Sequence, residues 1–348
     1  MRHLAVINQK GGVGKTTTVA NLGAALARAG QHVLLIDLDP QSHLTLHLGI
    51  EPAANPLSSY EVLTETTPLA EAILEVGENL CLVPAHTDLV AAETRLLNVV
   101  GREVILRDAV AEVRDAFDFL LIDCPPSLGV LTLNALAAAT EVLIPLQPHF
   151  LALQGLAKLL ETVQLVRARI NPDLRVEGVV VCLQEAGTRL AGEVIDDVRR
   201  FLDAARDQDV PWREARVFDA AIRRTIRLAE CPSQGQTIFE YAPRSNAARD
   251  YAALADELLN GPAAETPSCP DAEHEATDRA IEETVGQAAR SVSSLEEPLV
   301  QTDGPVDLPV AEEADETSAD GSASRADPDE VPDPIPVHPH DESVTNIV

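Results

Sequence analysis

The sequence predicts an α/β fold with a doubly wound, mostly parallel sheet, helices on both faces, and a disordered C-terminal tail. Three observations support this prediction. Apolar runs alternate with helical patterns over the first 260 residues, most of the runs are apolar throughout, and the composition changes near residue 260. Runs without polar positions are typical of strands that are covered on both faces. Ligands of such sheets bind beyond the carboxyl ends of the strands.

Six short apolar runs bounded by turn residues are predicted to be strands, and apolar residues at helical spacing predict four helices. The predicted strands are residues 4–7, 33–36, 80–83, 119–122, 142–144 and 176–183. The predicted helices are residues 15–29, 128–139, 153–170 and 191–202. This alternation favours parallel neighbours, because parallel strands need a crossover connection between them.

Residues 1–260 are predicted to form one globular domain, and residues 261–348 an acidic, proline-rich, disordered tail. The tail holds 22 of the 56 acidic residues but only 3 of the 26 basic ones, and it has no aromatic residue. Such a segment cannot bury enough apolar surface to offset the entropy lost on ordering. Although the whole chain carries a net charge of −30, the domain alone carries about −11. A local basic surface for nucleic acid is therefore compatible with this composition.

The cysteines and apolar runs indicate a cytoplasmic protein. The odd number of cysteines and their lack of paired spacing fit a reduced compartment better than a disulfide framework or a metal cluster. No basic and apolar leader precedes the first strand-like run, so we expect no secretion. No run approaches the roughly 20 apolar residues of a membrane-spanning helix, so we expect no membrane partner. The five cysteines are Cys81, Cys124, Cys182, Cys231 and Cys269.

A glycine-rich loop lies between the first predicted strand and the first predicted helix. Its glycines allow backbone N–H groups to face phosphate oxygens, and the helix N-terminus adds partial positive charge. By spacing, Lys15 reaches the β- and γ-phosphates and Thr16 places its hydroxyl on Mg²⁺. A glycine-rich turn that binds nothing is the alternative. The loop predicts a P-loop NTPase fold, with a nucleotide bound by Lys10, Gly11, Gly12, Val13, Gly14, Lys15, Thr16 and Thr17.

The lysines favour ATP as the nucleotide. The chain contains only three lysines, at positions 10, 15 and 158, and two of them lie in this loop. A compact ammonium group fits a tight phosphate cradle where a planar guanidinium does not. GTPases resemble one another in an Asn/Thr-Lys-x-Asp motif, whereas Lys158 is followed by two leucines. We therefore expect ATP and Mg²⁺ as the cofactors.

Three carboxylates follow predicted strands and are candidates for catalysis and metal binding. Asp37 and Asp39 end the second strand, and the alternation of a strand places both on one side. Asp123 ends the strand of residues 119–122. An acid at that point usually holds Mg²⁺ through water beside a phosphate loop. Surface-turn aspartates are the alternative, and they account for one aspartate more readily than for several.

The phosphate loop departs from the common pattern, because Gln9 replaces its first glycine and Lys10 directly precedes the glycines. Here the chain resembles the ParA and MinD family of ATPases. The resemblance continues through residues 131–136, 152–156 and 226–235 and covers nearly all of residues 1–258. It implies that Lys10 acts in trans on the ATP of a partner subunit, as an arginine finger does. It also assigns Asp39 to the attacking water and Asp37 to the Mg²⁺ shell or its switch.

The Cys-Pro-Pro-Ser sequence after Asp123 looks like ParA rather than MinD. In close relatives the sequence Ile-Pro-Arg-Asn-Val-Arg stands where this chain has residues 222–227, Ile-Arg-Arg-Thr-Ile-Arg. The residues that contact adenine are therefore left unassigned. About ten additional residues, near 204–214, precede this run, and we interpret them as a surface insertion.

Residues 199–227 contain eight arginines and five acidic residues within an acidic domain. In the resembling family, DNA-contacting arginines lie in this part of the chain. Arg227 matches one of them, whereas a second falls at Gly187, two residues before Arg189. We therefore predict that Arg223, Arg224 and Arg227 bind DNA. The alternative is a set of solvated arginines that pair with nearby residues such as Asp203, Asp207 or Glu214.

The resemblance implies a nucleotide switch on the nucleoid. With ATP the chain forms a homodimer that binds non-specific DNA, and slow hydrolysis resets it unless a ParB-like centromere-binding partner stimulates turnover. Chromosome or plasmid partition is the expected function. Three alternatives remain: positioning of a non-DNA cargo, a MinD-like membrane switch, and a metabolic ligase or kinase. A membrane switch requires a basic amphipathic C-terminal helix, whereas this chain ends in an acidic stretch.

The tail has two open interpretations. Its net charge of about −19 allows it to compete with DNA for the arginines. Alternatively, it is a solubilising or partner-docking segment that never contacts them. Truncation after Asn260 separates the two, because only a competing tail weakens DNA binding.

Overall fold

The computed structural model describes residues 1–185 and 189–261. Its strands are β1 (Arg2–Val6), β2 (Val33–Asp37), β3 (Leu74–Gly77), β4 (Leu80–Val83), β5 (Phe119–Asp123), β6 (Glu141–Leu146), β7 (Arg175–Gln184), β8 (Arg216–Val217) and β9 (Ile222–Arg223). Its α-helices are α1 (Lys15–Arg28), α2 (His43–His47), α3 (Ser59–Thr64), α4 (Leu89–Leu96), α5 (Ile105–Ala111), α6 (Val130–Ala138), α7 (Ala152–Arg169), α8 (Arg189–Asp203), α9 (Ile226–Glu230), α10 (Ile238–Tyr241) and α11 (Asn246–Asn260).

The strands form one sheet in the order β3–β4–β2–β5–β1–β6–β7–β8, and β9 pairs with the far end of β7. Among the described residues every strand pair is parallel except β3 with β4. The carboxyl ends of β1, β2 and β5 are neighbours at the middle of the sheet. The predicted doubly wound, mostly parallel sheet is therefore confirmed.

Helices cover both faces of the sheet, so consecutive strand residues enter different cores. In β2, Val33 and Leu35 pack into the core that contains α1 and α11. Leu34 and Ile36 pack into the core that contains α3 to α8. All four side chains have no exposed surface. This double coverage explains why the central strands are apolar at every position.

Residues 204–214, predicted to be a surface insertion, contribute to the core. Ala205, Val210 and Trp212 are buried, and Trp212 is only 1% exposed. The Pro211 carbonyl accepts a 2.8 Å hydrogen bond from the backbone N–H of Val176 at the start of β7. The surface interpretation is therefore wrong for Ala205, Val210 and Trp212. Burying the indole removes a large apolar area from water, and this is what holds the segment against the domain.

Helix α11 ends at Asn260, where the composition changes. The tail prediction concerns residues 261–348, and all but the first of them lie outside the described residues. Gly187, the position of the second family arginine, also lies outside them. Over the part of the chain that the structure describes, no helix has both the length and the apolar character needed to span a membrane.

Candidate active site

The loop between β1 and α1 has the backbone of a phosphate-binding loop. Gly12 has φ of 73° and Gly14 has φ of 95°, a left-handed region that side chains with a Cβ disfavour. Gly14 precedes α1 directly, and its carbonyl accepts a 2.8 Å hydrogen bond from the N–H of Thr18. The N–H groups of the first helical turn have no partners within the helix, so they are available to an anion.

A cleft of about 870 Å³ opens above this loop. Its polar end is lined by Lys15, Thr16 and Thr17 together with Asp39. The Lys15 side chain is only 7% exposed, and its Nζ lies 3.5 Å from the backbone carbonyl oxygen of Lys10. The ammonium group thus lies inside the cradle, where a phosphate would meet it. Gly11, Gly12 and Gly14 complete this end of the cleft.

The other end of the cleft is mostly apolar, and the sequence did not identify it in advance. It is formed where β7 ends and β9 and α9 follow. Polar and apolar ends in one cleft of this volume suit a nucleotide, with the base at the apolar end. The only signal in the sequence was the altered run at residues 222–227, which left the adenine contacts open. This end is lined by Cys182, Leu183, Ile222, Arg224, Thr225, Ile226, Leu228, Ala229 and Tyr251.

Lys10 does not line the cleft of its own chain. Its side chain is exposed, and its backbone N–H donates a 3.0 Å hydrogen bond to the Asn8 side chain. Lys10 and the buried Val13 line a small neighbouring groove with His149 and Leu151. The ammonium group of Lys10 is therefore presented on the outer side of the phosphate loop. Of the loop residues predicted to bind nucleotide, these two face away from the cleft.

The three predicted carboxylates meet at the carboxyl ends of β2 and β5. Asp37 and Asp123 are register partners on these neighbouring strands, and neither has exposed surface. Asp39 is 7% exposed and lines the cleft, and its Oδ1 accepts a 3.0 Å hydrogen bond from the N–H of Gln41. The structure thus brings all three together beside the phosphate loop.

The Asp37 carboxylate is held by backbone and side-chain donors. Its Oδ2 accepts hydrogen bonds from the N–H of Thr45 at 2.9 Å and from the Thr45 hydroxyl at 2.7 Å. Its Oδ1 accepts one at 3.1 Å from the N–H of Asp39. Burial raises the pKa of Asp37 to about 6, and these hydrogen bonds oppose the rise. Both oxygens are therefore engaged with the loop that carries Asp39.

The Asp123 carboxylate has a different environment. Both of its oxygens are buried and have no hydrogen-bond partner among the described residues. Burial and then the charge of Asp37 raise its pKa well above the usual value, while the Thr16 side chain and the Lys15 charge act in the opposite direction. Buried oxygens without donors fit a cation, and carboxylate and hydroxyl oxygens are ligands that Mg²⁺ prefers. Asp123 and Thr16 therefore fit a magnesium ion, whereas the oxygens of Asp37 are already engaged.

The three predicted DNA-binding arginines have three different environments. Arg223 pairs with the buried Asp250 of α11. Arg224 forms a 2.8 Å ion pair with Glu185 and borders the cleft. Arg227 lies in α9 with its side chain exposed. Elsewhere in the segment, two arginines pair with neighbouring acids as the alternative interpretation expects, Arg206 with Asp203 and Arg213 with Glu214.

Known proteins are similar to this chain in sequence and in fold. A family model described as an AAA domain matches residues 1–176. The chain is 44% identical over 256 residues to sporulation initiation inhibitor protein Soj of Bacillus subtilis (strain 168), covering 73% of this chain and 97% of Soj. It is 41% identical over 270 residues to chromosome partitioning protein ParA of Myxococcus xanthus (strain DK1622), covering 77% of this chain and 90% of that protein.

A solved structure has a similar fold and contains a nucleotide. Cobyrinic acid a,c-diamide synthase from Mycobacterium smegmatis, with bound ADP and magnesium, is 41% identical, with a TM-score of 0.62. The match covers 74% of this chain and 94% of that one. The same protein is also known with a bound ATP analogue and magnesium. The chain therefore belongs to the ParA and MinD family of P-loop ATPases, alongside the Soj and ParA chromosome-partitioning proteins.

Proposed function

We propose that this chain is a switch ATPase that forms a homodimer with ATP and Mg²⁺ and binds DNA without sequence preference. In this proposal it drives chromosome or plasmid partition on the nucleoid, together with a ParB-like centromere-binding protein. The observation that carries the proposal is the position of Lys10. It belongs to the phosphate loop, yet its side chain lines a groove outside the cleft of its own chain.

A cation in that position suits a site that two subunits complete together. Lys15 supplies the positive charge within each cleft, so Lys10 is free to reach the phosphates of a second subunit. Charge develops on the transferred phosphoryl group in the transition state, and a cation brought to it at that stage accelerates hydrolysis. Dimerisation then becomes a requirement for turnover.

The surface beside Lys10 supports a protein contact there. Phe150 is 83% exposed and Leu151 is 54% exposed in the segment after β6, and Leu151 lines the same groove as Lys10. Leu128, in the segment after β5, is 37% exposed. Exposed apolar side chains beside a functional cation are typical of a surface that a partner covers. In the proposed dimer this partner is the second subunit.

In this proposal, different residues of the chain have different roles in ATP hydrolysis. Lys15 and the N–H groups at the start of α1 bind the phosphates. Thr16 and Asp123 would hold the magnesium ion, which neutralises phosphate charge when bound. Asp39 lines the cleft and orients the attacking water, and Asp37 fixes the loop that carries Asp39. Turnover is slow until a partner improves this geometry.

DNA binding is assigned to the exposed arginine of α9. Arg227 is one residue from Leu228, which lines the cleft, so the nucleotide and the DNA surface share one short helix. Contacts with DNA phosphates do not depend on sequence, and binding weakens as salt rises. Arg224 borders the cleft and pairs there with the exposed Glu185, whereas the Arg223 guanidinium pairs with the buried Asp250.

Two other functions are compatible with the same domain. A partition-like ATPase that positions a non-DNA cargo would keep the same nucleotide switch, and its neighbouring genes would encode that cargo in place of a ParB-like protein. The synthase name of the mycobacterial relative suggests a ligase, which needs a second substrate beside the γ-phosphate. A second cleft of about 800 Å³ is lined by Arg175 and Glu177 at the start of β7, the opposite end from Cys182 in the nucleotide cleft. That position gives no support to a ligase.

The proposal is tested by fluorescence anisotropy with two labelled DNA duplexes of unrelated sequence. Binding is measured with ATP and Mg²⁺, with ADP and Mg²⁺, and without nucleotide, over a series of salt concentrations. We expect binding of both duplexes with ATP only, falling steeply as salt rises. Binding that ignores the nucleotide, or no binding at low salt, would contradict the DNA function. ATP consumption that requires added cobyrinic acid and an amide donor would favour the ligase.

A further inference from the structure

Thr45 of α2 has no exposed surface and contacts the active site without lining the cleft. Its backbone N–H and its hydroxyl both donate to Oδ2 of Asp37, at 2.9 and 2.7 Å. The same hydroxyl accepts a 2.9 Å hydrogen bond from the N–H of Ala85, which follows β4. The Thr45 side chain therefore connects α2 to the segments at the ends of β2 and β4.

The donor and the acceptor in each of these hydrogen bonds follow from the hydrogens that the groups carry. A hydroxyl has one hydrogen to donate. Because the N–H of Ala85 is itself a donor, the Thr45 hydroxyl accepts there and directs its hydrogen to Asp37. Two donors therefore converge on one oxygen of a fully buried carboxylate. Such charge-assisted bonds hold the carboxylate in a single orientation.

The orientation of Asp37 is passed on to Asp39. The second oxygen of Asp37 accepts the N–H of Asp39 at 3.1 Å, and the carbonyl of Asp37 accepts the Ser59 hydroxyl at 2.8 Å. The path from Thr45 to Asp39 therefore consists of consecutive hydrogen bonds between buried groups. Thr45 is thus connected through Asp37 to the loop whose Asp39 side chain lines the cleft.

We propose that Thr45 is a positioning residue for ATP hydrolysis, acting through the Asp37 carboxylate on the loop that carries Asp39. This role rests on the proposed ATPase function. Thr45 is buried and does not line the cleft, so its removal should lower the rate of the chemical step more than the affinity for ATP. A threonine that only fills space would instead affect stability alone.

The hydroxyl and the methyl group of Thr45 are separated by two substitutions. Thr45→Val keeps the shape but removes the donor to Asp37, and Thr45→Ser keeps the donor but removes the methyl group. Thr64→Val is the matched control, because the Thr64 hydroxyl donates a 2.8 Å hydrogen bond to the Tyr60 carbonyl in the neighbouring helix α3. Circular dichroism and thermal unfolding confirm that each variant is folded.

The test measures kcat and KM for ATP with DNA and Mg²⁺ present, together with binding of a fluorescent ATP analogue. For Thr45→Val we expect kcat to fall roughly ten- to hundredfold, the loss of a hydrogen bond to a charged group, with KM changed less than about threefold. Thr45→Ser should recover most of kcat, and Thr64→Val should match the parent.

Two results would overturn the role of Thr45 while leaving the ATPase intact. One is a folded Thr45→Val protein that hydrolyses ATP at the parental rate. The other is a Thr45→Ser protein as slow as Thr45→Val, which would assign the effect to packing of the methyl group. A parental protein that binds the analogue but hydrolyses no ATP under any of these conditions would instead overturn the ATPase function and this role with it.

Discussion

Arg223 donates hydrogen bonds to Asp250 from both its backbone N–H and its guanidinium. The Asp250 carboxylate is only 8% exposed, and the interaction joins β9 to α11. The guanidinium is half exposed, so one of its faces remains accessible to solvent. Among the three arginines predicted to bind DNA, Arg223 therefore has a structural role that the sequence did not reveal.

Replacing Arg223 with Ala is expected to lower thermal stability, because the buried Asp250 carboxylate keeps the backbone N–H of residue 223 but loses the guanidinium that neutralises its charge. Arg224→Ala is the matched control, since that side chain is 64% exposed and its ion pair with Glu185 is solvated. Thermal unfolding followed by circular dichroism measures both. Equal midpoints for the two variants would show that the pair with Asp250 contributes nothing to stability.

In the proposed DNA complex Arg227 faces phosphates, so replacing it with Glu is expected to weaken DNA binding by roughly tenfold or more at low salt. Dimerisation with ATP should be unchanged, since Arg227 does not line the groove of Lys10 and Leu151, where we place the contact between subunits. Arg114→Glu carries the same charge change before β5, at the opposite end of the sheet, and should bind DNA normally. Anisotropy of labelled duplex measures both variants. If Arg227→Glu binds DNA with normal affinity, the DNA-binding surface lies elsewhere on the domain.

Replacing Lys10 with Ala is expected to abolish ATP-dependent dimerisation while ATP still binds, because Lys15 and not Lys10 lines the cleft of its own chain. Size-exclusion chromatography with a non-hydrolysable ATP analogue measures dimerisation. Lys158→Ala removes the same charge from an exposed position of α7 and serves as the control. Dimers of the Lys10→Ala variant with normal hydrolysis would refute a role in trans.

Replacing Asp39 with Ala is expected to trap the ATP-bound dimer on DNA, because the carboxylate that we propose orients the attacking water is lost. Hydrolysis should fall by roughly a hundredfold or more, with little change in ATP binding. A phosphate-release assay and DNA retention over time measure the two effects. Asp207→Ala, at an exposed position, is the control. If the Asp39 variant hydrolyses ATP at the parental rate, Asp39 is only a turn residue.

His47 is expected to make the domain sensitive to acid. It is 1% exposed, and burial lowers its pKa to about 4. The unfolded chain, with a pKa near 6.5, therefore binds more protons, and stability is lost as pH falls from about 6.5 towards 4. The expected loss from this residue between pH 7 and pH 5 is roughly 2 kcal/mol. Urea unfolding of the parent and of His47→Gln measures it, and an equal pH dependence in both would exclude His47 as the cause.

The sequence correctly predicts those strands and loops whose local residue pattern agrees with their burial in the fold. The run of residues 80–83 is apolar between turn residues, and β4 has the same bounds in the structure. Each of the other five predicted strands matches an observed one to within two residues at either end. The phosphate loop likewise follows from spacing, because its glycines lie between β1 and α1 and Lys15 is the first residue of α1.

The strands and contacts that the sequence does not predict depend on residues that are distant along the chain. Strand β3 lies at the edge of the sheet with half-buried and exposed residues, and β8 and β9 have two residues each, too few to show a period. The contact of Thr45 with Asp37 requires a turn at Ser42, where φ is 54°, a conformation that serine seldom adopts. The resembling family lacks the segment of Trp212, so the sequence predicts a surface position, whereas the indole packs into the core.

Trp212 is also the single tryptophan of the chain. Because its indole is buried at the edge of the domain, its emission should shift to longer wavelength when that edge opens to water. Residues 261–348 contain no Phe, Tyr or Trp, so they add no emission of their own. The natural sequence thus supplies a label-free optical probe at one defined position. The emission of Trp212 reports opening near β7 and α8. Circular dichroism instead measures the helix content averaged over the whole chain.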